Sequence, residues 1–285
     1  LVKRIKDIIE NKKISLQSDD KVYWKGSPIA KIKKGVDYLS PEIEEIADDA
    51  IMDESKIELQ LFLKNWLTSY INSELGDLMN LTKTEVKNQY LRALIFQLYE
   101  NNGLIKRQEL NEIIKKISKE DRKKLWSMGI KLGRYHVFLP KMLKPKAVTL
   151  RIALWKIFHK DSTKSIIPTF GLNFLENDKL DKKFLLLCGF ENFKNFFVRI
   201  DILEKLFISI LDKTTNRKFK VSSEMINLLG CTKENFNKLM ILMNYKKAKE
   251  EETYVYSGNI VKNKKIYKNK FKSSPFDKLL GLNLK

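Results

Sequence analysis

Two stretches of this sequence combine cationic side chains with aromatic rings, the residue types that contact the phosphates and bases of a nucleic acid. The first covers residues 129–158 and contains a Gly-Arg-Tyr segment at residues 133–135. Lys141, Lys144 and Lys146 are assigned to a turn bracketed by Pro140 and Pro145, where backbone N–H groups at a helix start would add to the attraction for anions. Such cations neutralise phosphates without sequence-specific geometry. The expected contact residues are Arg134, Tyr135, Lys141, Lys144 and Lys146.

The apolar residues of the same stretch have an ordinary structural explanation. Residues 135–139 form a short apolar run that predicts a strand. A proline at a helix start, followed by apolar side chains, is typical of core construction. The apolar positions of this predicted helix are Ala147, Val148, Leu150, Ile152, Leu154 and Trp155. We predict that they are buried, and the nucleic-acid role of the basic turn stays open beside this interpretation.

The second stretch is the basic C-terminal tail. Residues 262–272, KNKKIYKNKFK, hold six lysines in eleven residues, with no acidic residue and with spaced aromatic rings. Such a pattern suits a flexible single strand, because the charges follow the phosphates while the rings stack on the bases. A solvated tail without a ligand is the alternative. The candidate contact residues are Lys262, Lys264, Lys265, Tyr267, Lys268 and Phe271.

Composition supports a polyanionic partner but does not identify it. The formal net charge is +20, and such a field attracts nucleic acid or an anionic membrane surface. The chain is rich in Lys, Ile and Asn together, so the places where charge clusters are more informative than the total. A hydrophobic content of 43% is sufficient for folded cores.

Several classes of function are disfavoured. Cys188 and Cys231 are far apart and lack zinc-site spacing, and neither His136 nor His159 belongs to a catalytic motif. No apolar run approaches the roughly 20 residues of a membrane span, and the N-terminus does not resemble a secretory signal. We expect a cytoplasmic protein without a metal or a membrane partner. Leu1 stands where an initiating Met would, so we also expect a fragment of a larger protein.

Hydrophobic periodicity predicts a mainly-α fold: a helical bundle domain with a small N-terminal β-hairpin, then a smaller winged-helix-like α+β domain and a basic tail. The hairpin is indicated by residues 21–25 and 29–33 on either side of a Gly-Ser-Pro turn, where Trp24 anchors the hairpin or stacks on a base. The predicted parts are an upstream helix end and hairpin over 1–40, a helical domain over 41–160, a linker over 161–181, a winged-helix-like domain over 182–258 and the tail over 259–285.

Capping signals place the helix starts of the bundle. The helices are expected to be short and joined by tight turns. The predicted starts are Ser40-Pro41 for a helix over 42–50, the capping box 55–58 for a second helix, the capping box 82–85 for a third that stops at Gly103, and Ser118 for another that ends at Gly129.

The second domain shows the order helix, tight turn, helix and hairpin, which is typical of a winged helix. Its hairpin is predicted to pair 245–249 with 253–257. The candidate recognition helix exposes a nearly neutral set, Lys233, Glu234, Asn237 and Lys238. Base reading in a DNA groove is therefore a weak prediction, and a packing or partner-docking module would have the same pattern.

Six segments, in this order, resemble the C-terminal region of the bacterial relatives of the mitochondrial degradosome RNA helicase, a superfamily-two ATP-dependent helicase. These segments are VYWKGSPIAKI, RALIFQLYENNGLIKR, GIKLGRYHVFLPKMLKPKAVTLRIALW, VRIDILEKL, INLLGCTKENFNKLMILMNYK and SPFDKLLGLNL. The resemblance covers nearly the whole chain, and its LGRYHVFLPKMLKP part is the most specific.

The resemblance implies an accessory part of an enzyme. In such helicases two RecA-like motor domains bind ATP and Mg²⁺ and move along RNA, and their motifs are not present in this sequence. We therefore assign no catalytic residue and no cofactor to this chain. The implied partners are single-stranded RNA and the motor domains of the same polypeptide.

Two alternatives from other classes of function remain. The first is a protein-interaction scaffold, in which the winged unit and the leucine-rich end of the chain dock a nuclease or the helicase core. The second is a winged-helix DNA-binding regulator, which the poor recognition helix disfavours.

Overall fold

The structure is a computed structural model that describes residues 7–8, 14–16, 20–46, 53–160, 166–177, 181–248 and 252–257. The described α-helices are α1 (Asp53–Lys83), α2 (Gln89–Glu100), α3 (Asn111–Lys116), α4 (Lys119–Ser127), α5 (Pro145–His159), α6 (Lys182–Leu187), α7 (Ile200–Asp212), α8 (Ser223–Leu229) and α9 (Lys233–Leu242). Short 3-10 helices cover Arg107–Leu110 and Pro140–Leu143. Helix is the main secondary structure, as predicted, and no described helix has the length and apolar character to cross a membrane.

The strands form small antiparallel sheets. They are β1 (Ile14–Leu16), β2 (Lys21–Trp24), β3 (Ser27–Asp37), β4 (Ser40–Glu45), β5 (Leu104–Lys106), β6 (Lys131–Leu132), β7 (His136–Phe138), β8 (Phe174–Glu176), β9 (Phe190–Phe193), β10 (Phe196–Arg199), β11 (Lys218–Lys220), β12 (Tyr245–Lys247) and β13 (Thr253–Tyr256). The sheet orders are β1-β2-β3-β4, β5-β7-β6, β8-β10-β9 and β11-β13-β12.

The predicted N-terminal hairpin is confirmed as β2 and β3. Lys25 and Gly26 form its turn with positive φ angles, which favour a tight connection between antiparallel strands. Trp24 is only 6% exposed and packs in the main hydrophobic core. Its ring therefore anchors the hairpin, and the alternative of stacking on a base is wrong for this residue.

The helix predicted over 42–50 is wrong where the structure describes it, because β4 pairs with β3. Lys31 lies opposite Glu44, and Lys33 forms an ion pair with Glu44 at 2.5 Å. Complementary charges on paired strands and the exposed-to-half-buried alternation of β4 favour a strand over the Ser-Pro capping signal.

The predicted helix start at residues 82–85 is also wrong. Helix α1 is 31 residues long and continues to Lys83, so the hydroxyl of Thr82 donates to the carbonyl of Met79 inside the helix. The N-cap of α2 is Asn88, whose side chain accepts from the N–H groups of Tyr90 and Leu91. Apolar packing along α1 stabilises the helix through Thr82, so the local capping pattern does not begin a new helix there.

Two parts of the chain repeat one order of elements. Residues 89–138 contain α2, β5, α3, α4, β6 and β7, and residues 200–256 contain α7, β11, α8, α9, β12 and β13. In each, a strand from the first half pairs with the last strand, which also pairs with the strand before it. We call these residues the first unit and the second unit.

The two units are connected by packing through the middle of the chain. Leu104 and Phe138 of the first unit bury Ile200 at the start of α7. The guanidinium of Arg151 on α5 is buried and donates to the carbonyls of Asn102, Met142 and Leu187. The segment predicted as a linker over 161–181 contains β8, which pairs with β10.

Candidate nucleic-acid interface

A cleft of about 690 Å³ lies between the two units. One wall comes from the first unit, from the end of β5 and from the loop between β6 and β7. The opposite wall comes from α7, the turn after it, and the β12–β13 hairpin. The cationic lining residues are Lys106, Arg107, Arg134 and Arg217, and the aromatic ones include Tyr135, Phe207, Tyr245 and Tyr256.

The cationic side chains of the cleft differ in whether they form hydrogen bonds or ion pairs with the protein. Lys106 forms an ion pair with Glu191 at 2.8 Å, and Arg107 donates to the carbonyl of Gly133 at 2.6 Å. Arg134 and Arg217 are exposed and form no ion pair among the described residues. Burial lowers the pKa of Arg107, and the positive charges of Arg134 and Arg122 lower it further. The charge excess of the cleft therefore lies at its solvent side, where an anion would relieve it.

The aromatic rings beside these cations range from buried to partly exposed. Tyr135 and Phe207 make an edge-on contact with ring centroids 5.8 Å apart, and the guanidinium of Arg134 lies 5.5 Å from the Phe207 ring. Tyr245 is buried and contacts Tyr256, which is 37% exposed. Burial, followed by the nearby Tyr245, raises the pKa of Tyr135, so its hydroxyl stays neutral at physiological pH. Neutral rings next to guanidinium groups provide stacking faces for bases.

The loop that carries Arg134 and Tyr135 is held by a carboxylate of the second unit. Glu204 of α7 accepts the backbone N–H groups of Arg134 at 2.6 Å, Tyr135 at 2.8 Å and His136 at 3.1 Å. A Cβ at Gly133 would overlap this carboxylate, which explains why glycine occupies that position. These N–H groups are therefore already satisfied by an internal anion, so the loop can contact a phosphate only through its side chains.

A second buried carboxylate, Glu191, also lines the cleft. The ring Nε2 of His136 is 2.6 Å from Glu191 Oε2, and Lys106 approaches the other carboxylate oxygen. Burial raises the pKa of Glu191, but the hydrogen bonds and charges of His136 and Lys106 outweigh it, so the pKa is lowered overall. The group fixes Lys106 at the cleft wall, and His136 acts as a structural residue.

The predicted contact residues are distributed over different parts of the structure. Arg134 and Tyr135 line the cleft. The basic turn does not: Lys141 forms an ion pair with Asp77 at 2.8 Å, while Lys144 and Lys146 are exposed near the start of α5. The predicted tail contacts Lys262, Lys264, Lys265, Tyr267, Lys268 and Phe271 lie outside the described residues.

Most of the cleft residues were missed from the sequence. Lys106 ends a strand of three residues, Arg107 follows it, and Arg217 lies in a turn, so none belongs to a recognisable motif. Phe207 and Tyr256 occur at positions typical of helix and strand packing. Only the repeated order of elements could have indicated that these distant residues meet.

The candidate recognition helix of the second unit, α9, uses its polar side chains internally. Lys238 pairs with Glu234 at 2.7 Å, and Lys233 pairs with Glu252. Asn237 accepts a hydrogen bond from the hydroxyl of Tyr254. This helix therefore offers little for reading bases.

The described residues contain no group of three or more His, Cys, Asp or Glu side chains that could hold a metal ion. Comparison of the chain with protein-family models, with curated proteins and with solved structures found no match. The cleft itself is therefore the feature that points to a function.

Proposed function

We propose that this chain binds single-stranded RNA in the cleft between its two units, as the C-terminal accessory region of an ATP-dependent RNA helicase. The observation that carries the proposal is the lining of the cleft, where exposed Arg134 and Arg217 accompany the rings of Phe207 and Tyr256. Guanidinium groups bind phosphates, and partly exposed rings stack on bases that are free of a duplex. Sequence-tolerant and salt-sensitive binding follows.

The winged-helix fold is the second part of the proposal. Support comes from the order helix, strand, two helices and hairpin, with the first strand paired to the last, in residues 200–256. The same support exists for residues 89–138, which the sequence indicated only as part of a bundle. In this proposal the two units hold RNA between them, and α9 of the second unit does not enter a groove.

The rest of the proposed helicase lies outside this sequence. ATP and Mg²⁺ would be bound by RecA-like motor domains of the same polypeptide, and the cleft would hold the strand on which they act.

A nuclease is a further proposed partner, and the cytoplasm is the proposed compartment, in agreement with the free thiols of Cys188 and Cys231. The basic turn and the tail would add further phosphate contacts.

The test is a fluorescence-anisotropy titration with a labelled oligouridylate of about 12 nucleotides. The full chain, a version ending before Lys262 and the double variant Arg134→Gln/Arg217→Gln are compared at about 50 mM and about 200 mM salt. Both arginines are exposed, so their replacement leaves the core intact. We expect the double variant to bind at least about tenfold more weakly and its salt dependence to be shallower by about 0.7 for each lost phosphate contact.

The matched control is Lys64→Gln/Lys83→Gln, which removes the same charge from exposed positions of α1. It should change affinity much less than the cleft variant. Equal losses in the two double variants would show that net charge alone attracts the RNA. Binding that disappears with the tail and ignores the cleft variant would also contradict the proposal.

A protein-docking function is a second candidate, favoured by one apolar surface. Ile57 and Leu61 are 66% and 59% exposed on successive turns of α1, beside Pro41 and Ile43 of β4. An exposed apolar patch of this kind is typical of a contact with another domain. The variant Ile57→Glu/Leu61→Glu should abolish binding of the motor domains in trans and leave RNA affinity unchanged, if this surface docks the helicase core.

A further inference from the structure

The repeat lets the same helix be compared in the two units. Helices α4 and α9 each precede a residue in the left-handed region, Gly129 with φ of 78° and Asn244 with φ of 67°, which is followed by a strand. Counting back from these residues places Trp126 opposite Ile241. Leu125 and Met240, one position earlier, are both buried. The two helices therefore present equivalent faces.

The solvent face of α4 is cationic and carries an exposed indole. Lys119, Arg122, Lys123 and Trp126 recur at helical spacing on this face. Trp126 is 77% exposed, whereas Trp24 is buried and the other two tryptophans, Trp66 and Trp155, are half-buried. The side chains of Lys119 and Lys123 form no hydrogen bond or ion pair with the described part of the chain.

The equivalent face of α9 has a different character. Lys119, Arg122 and Lys123 correspond by position to Glu234, Asn237 and Lys238. Glu234 and Lys238 neutralise each other, so this face has no charge excess. Within one repeated fold, the first unit has a cationic and aromatic third helix and the second unit does not.

The solvent face of α4 lies beside the cleft, on the other side of the 133–135 loop. The loop that carries Arg134 and Tyr135 separates the cleft from a second cavity of about 640 Å³, which is lined by Arg122, Trp126, Lys131, Lys205 and Ile208. Arg107 on the cleft side is close enough to both Arg122 and Arg134 for their charges to lower its pKa. A chain of like charges therefore extends from the cleft across the loop to α4. Two carboxylates line the second cavity: Glu204 accepts backbone N–H groups, and Asp201 pairs with Arg199.

We propose that an RNA strand leaving the cleft crosses the 133–135 loop and binds the solvent face of α4, where Trp126 stacks on an unpaired base and Lys119 and Lys123 contact phosphates. This inference rests on the proposed function, since it extends the path of the same strand. Single-stranded RNA fits better than a duplex, because an exposed indole needs an unstacked base and the deep major groove of A-form RNA excludes a helix.

The test compares Trp126→Ala and Trp126→Phe in the full chain with oligouridylates of about 5 and about 16 nucleotides, a range that spans single-strand site sizes. We expect Trp126→Ala to weaken binding of the long oligomer about 5- to 100-fold and to leave the short one unaffected. Trp126→Phe retains a stacking ring and should recover most of the affinity. The long oligomer should quench the intrinsic tryptophan fluorescence of the original chain. This quenching should be absent in Trp126→Phe.

The matched control is Ile241→Ala at the equivalent position of α9, which should bind both oligomers normally. Lys119→Gln/Lys123→Gln should reduce the salt dependence with the long oligomer only. If Trp126→Ala binds the long oligomer as the original chain does while Arg134→Gln/Arg217→Gln is weakened, this inference is wrong and the cleft proposal stands. In that case the face of α4 belongs to a protein contact. If neither variant is weakened, both proposals are wrong.

Discussion

Two buried carboxylates, Glu191 and Glu204, determine where the cationic side chains of the cleft can lie. Glu204 binds backbone N–H groups, so it fixes the path of the loop at Arg134 and Tyr135. Glu191 binds the side chains of His136 and Lys106. Buried charges are stable only when they are paired and hydrogen-bonded, and each of these acids meets that requirement in a different way. At the scale of residues, the cleft therefore depends on anions that stay inside the protein.

The lowered pKa of Glu191 predicts a pH-dependent contribution to stability. Its ionised form is favoured in the folded state by His136 and Lys106, so the stabilisation is fully present above the ordinary carboxyl pKa of 4.5. It is lost as the pH falls through the lowered value. The variant Glu191→Gln should be less stable than the original chain at neutral pH by roughly 1–3 kcal/mol, and this difference should shrink under acid conditions. Urea denaturation over a pH series measures it.

Glu120→Gln, which changes an exposed carboxylate of α4, is the control and should shift stability little at any pH. A difference between Glu191→Gln and the original chain that stays constant from neutral pH to well below 4.5 would contradict the assignment of Glu191 as the ionised partner.

At the scale of elements, the loop between β6 and β7 is the piece that joins the units. It belongs to the first unit, yet its conformation is set by a side chain of α7 in the second unit. Gly133 permits this close approach, since a larger residue would displace Glu204. The wall of the cleft is thus formed only when both units are folded and in contact.

Replacement of Glu204 by Gln tests this connection. The amide offers one acceptor oxygen in place of two, and its NH₂ group faces backbone donors, so we expect a loss of about 1–3 kcal/mol in the free energy of unfolding. RNA affinity should fall as well, because Arg134 and Tyr135 lose their fixed positions. Denaturation and anisotropy on the same preparation give both values, again with Glu120→Gln as the control. Weaker stability with unchanged RNA binding would show that the loop is not part of the RNA surface.

Sequence reasoning succeeded where a local signal matched the surrounding structure. Ser118 begins α4 with a capping box to Asp121, and the predicted strand at 135–139 is present as β7. The predicted hairpin near the second unit's end is formed by β12 and β13. The first unit was not recognised, because β5 and β6 have only three and two residues and are too short for an alternating pattern.

The residues that line the cleft could not be predicted either, and the physical reason is different. Arg107, Arg134 and Arg217 are far apart in the chain and meet only through tertiary packing. The Gly-Arg-Tyr segment drew attention to Arg134 and Tyr135, which line the cleft, and their contact with nucleic acid stays a prediction. The same reasoning could not separate them from Lys141, which contacts Asp77 instead.

At the scale of the whole molecule, the chain has two copies of one arrangement with different surfaces. The cleft between them has a cationic excess, the solvent face of α4 is also cationic, and the equivalent face of α9 is neutral. In the proposed function, this asymmetry directs the RNA strand along the first unit. We propose that this region holds RNA for a motor.

The most direct test of the central claim, that the cleft is the RNA site, is to identify the residues that touch RNA in solution. The full chain is photo-cross-linked to single-stranded RNA containing a photoreactive uridine, and the attached peptides are sequenced by mass spectrometry. We predict cross-links at Tyr135, Phe207 and Tyr256, which Arg134→Gln/Arg217→Gln should reduce. Cross-links confined to residues 262–271, with none at these three rings, would contradict the account.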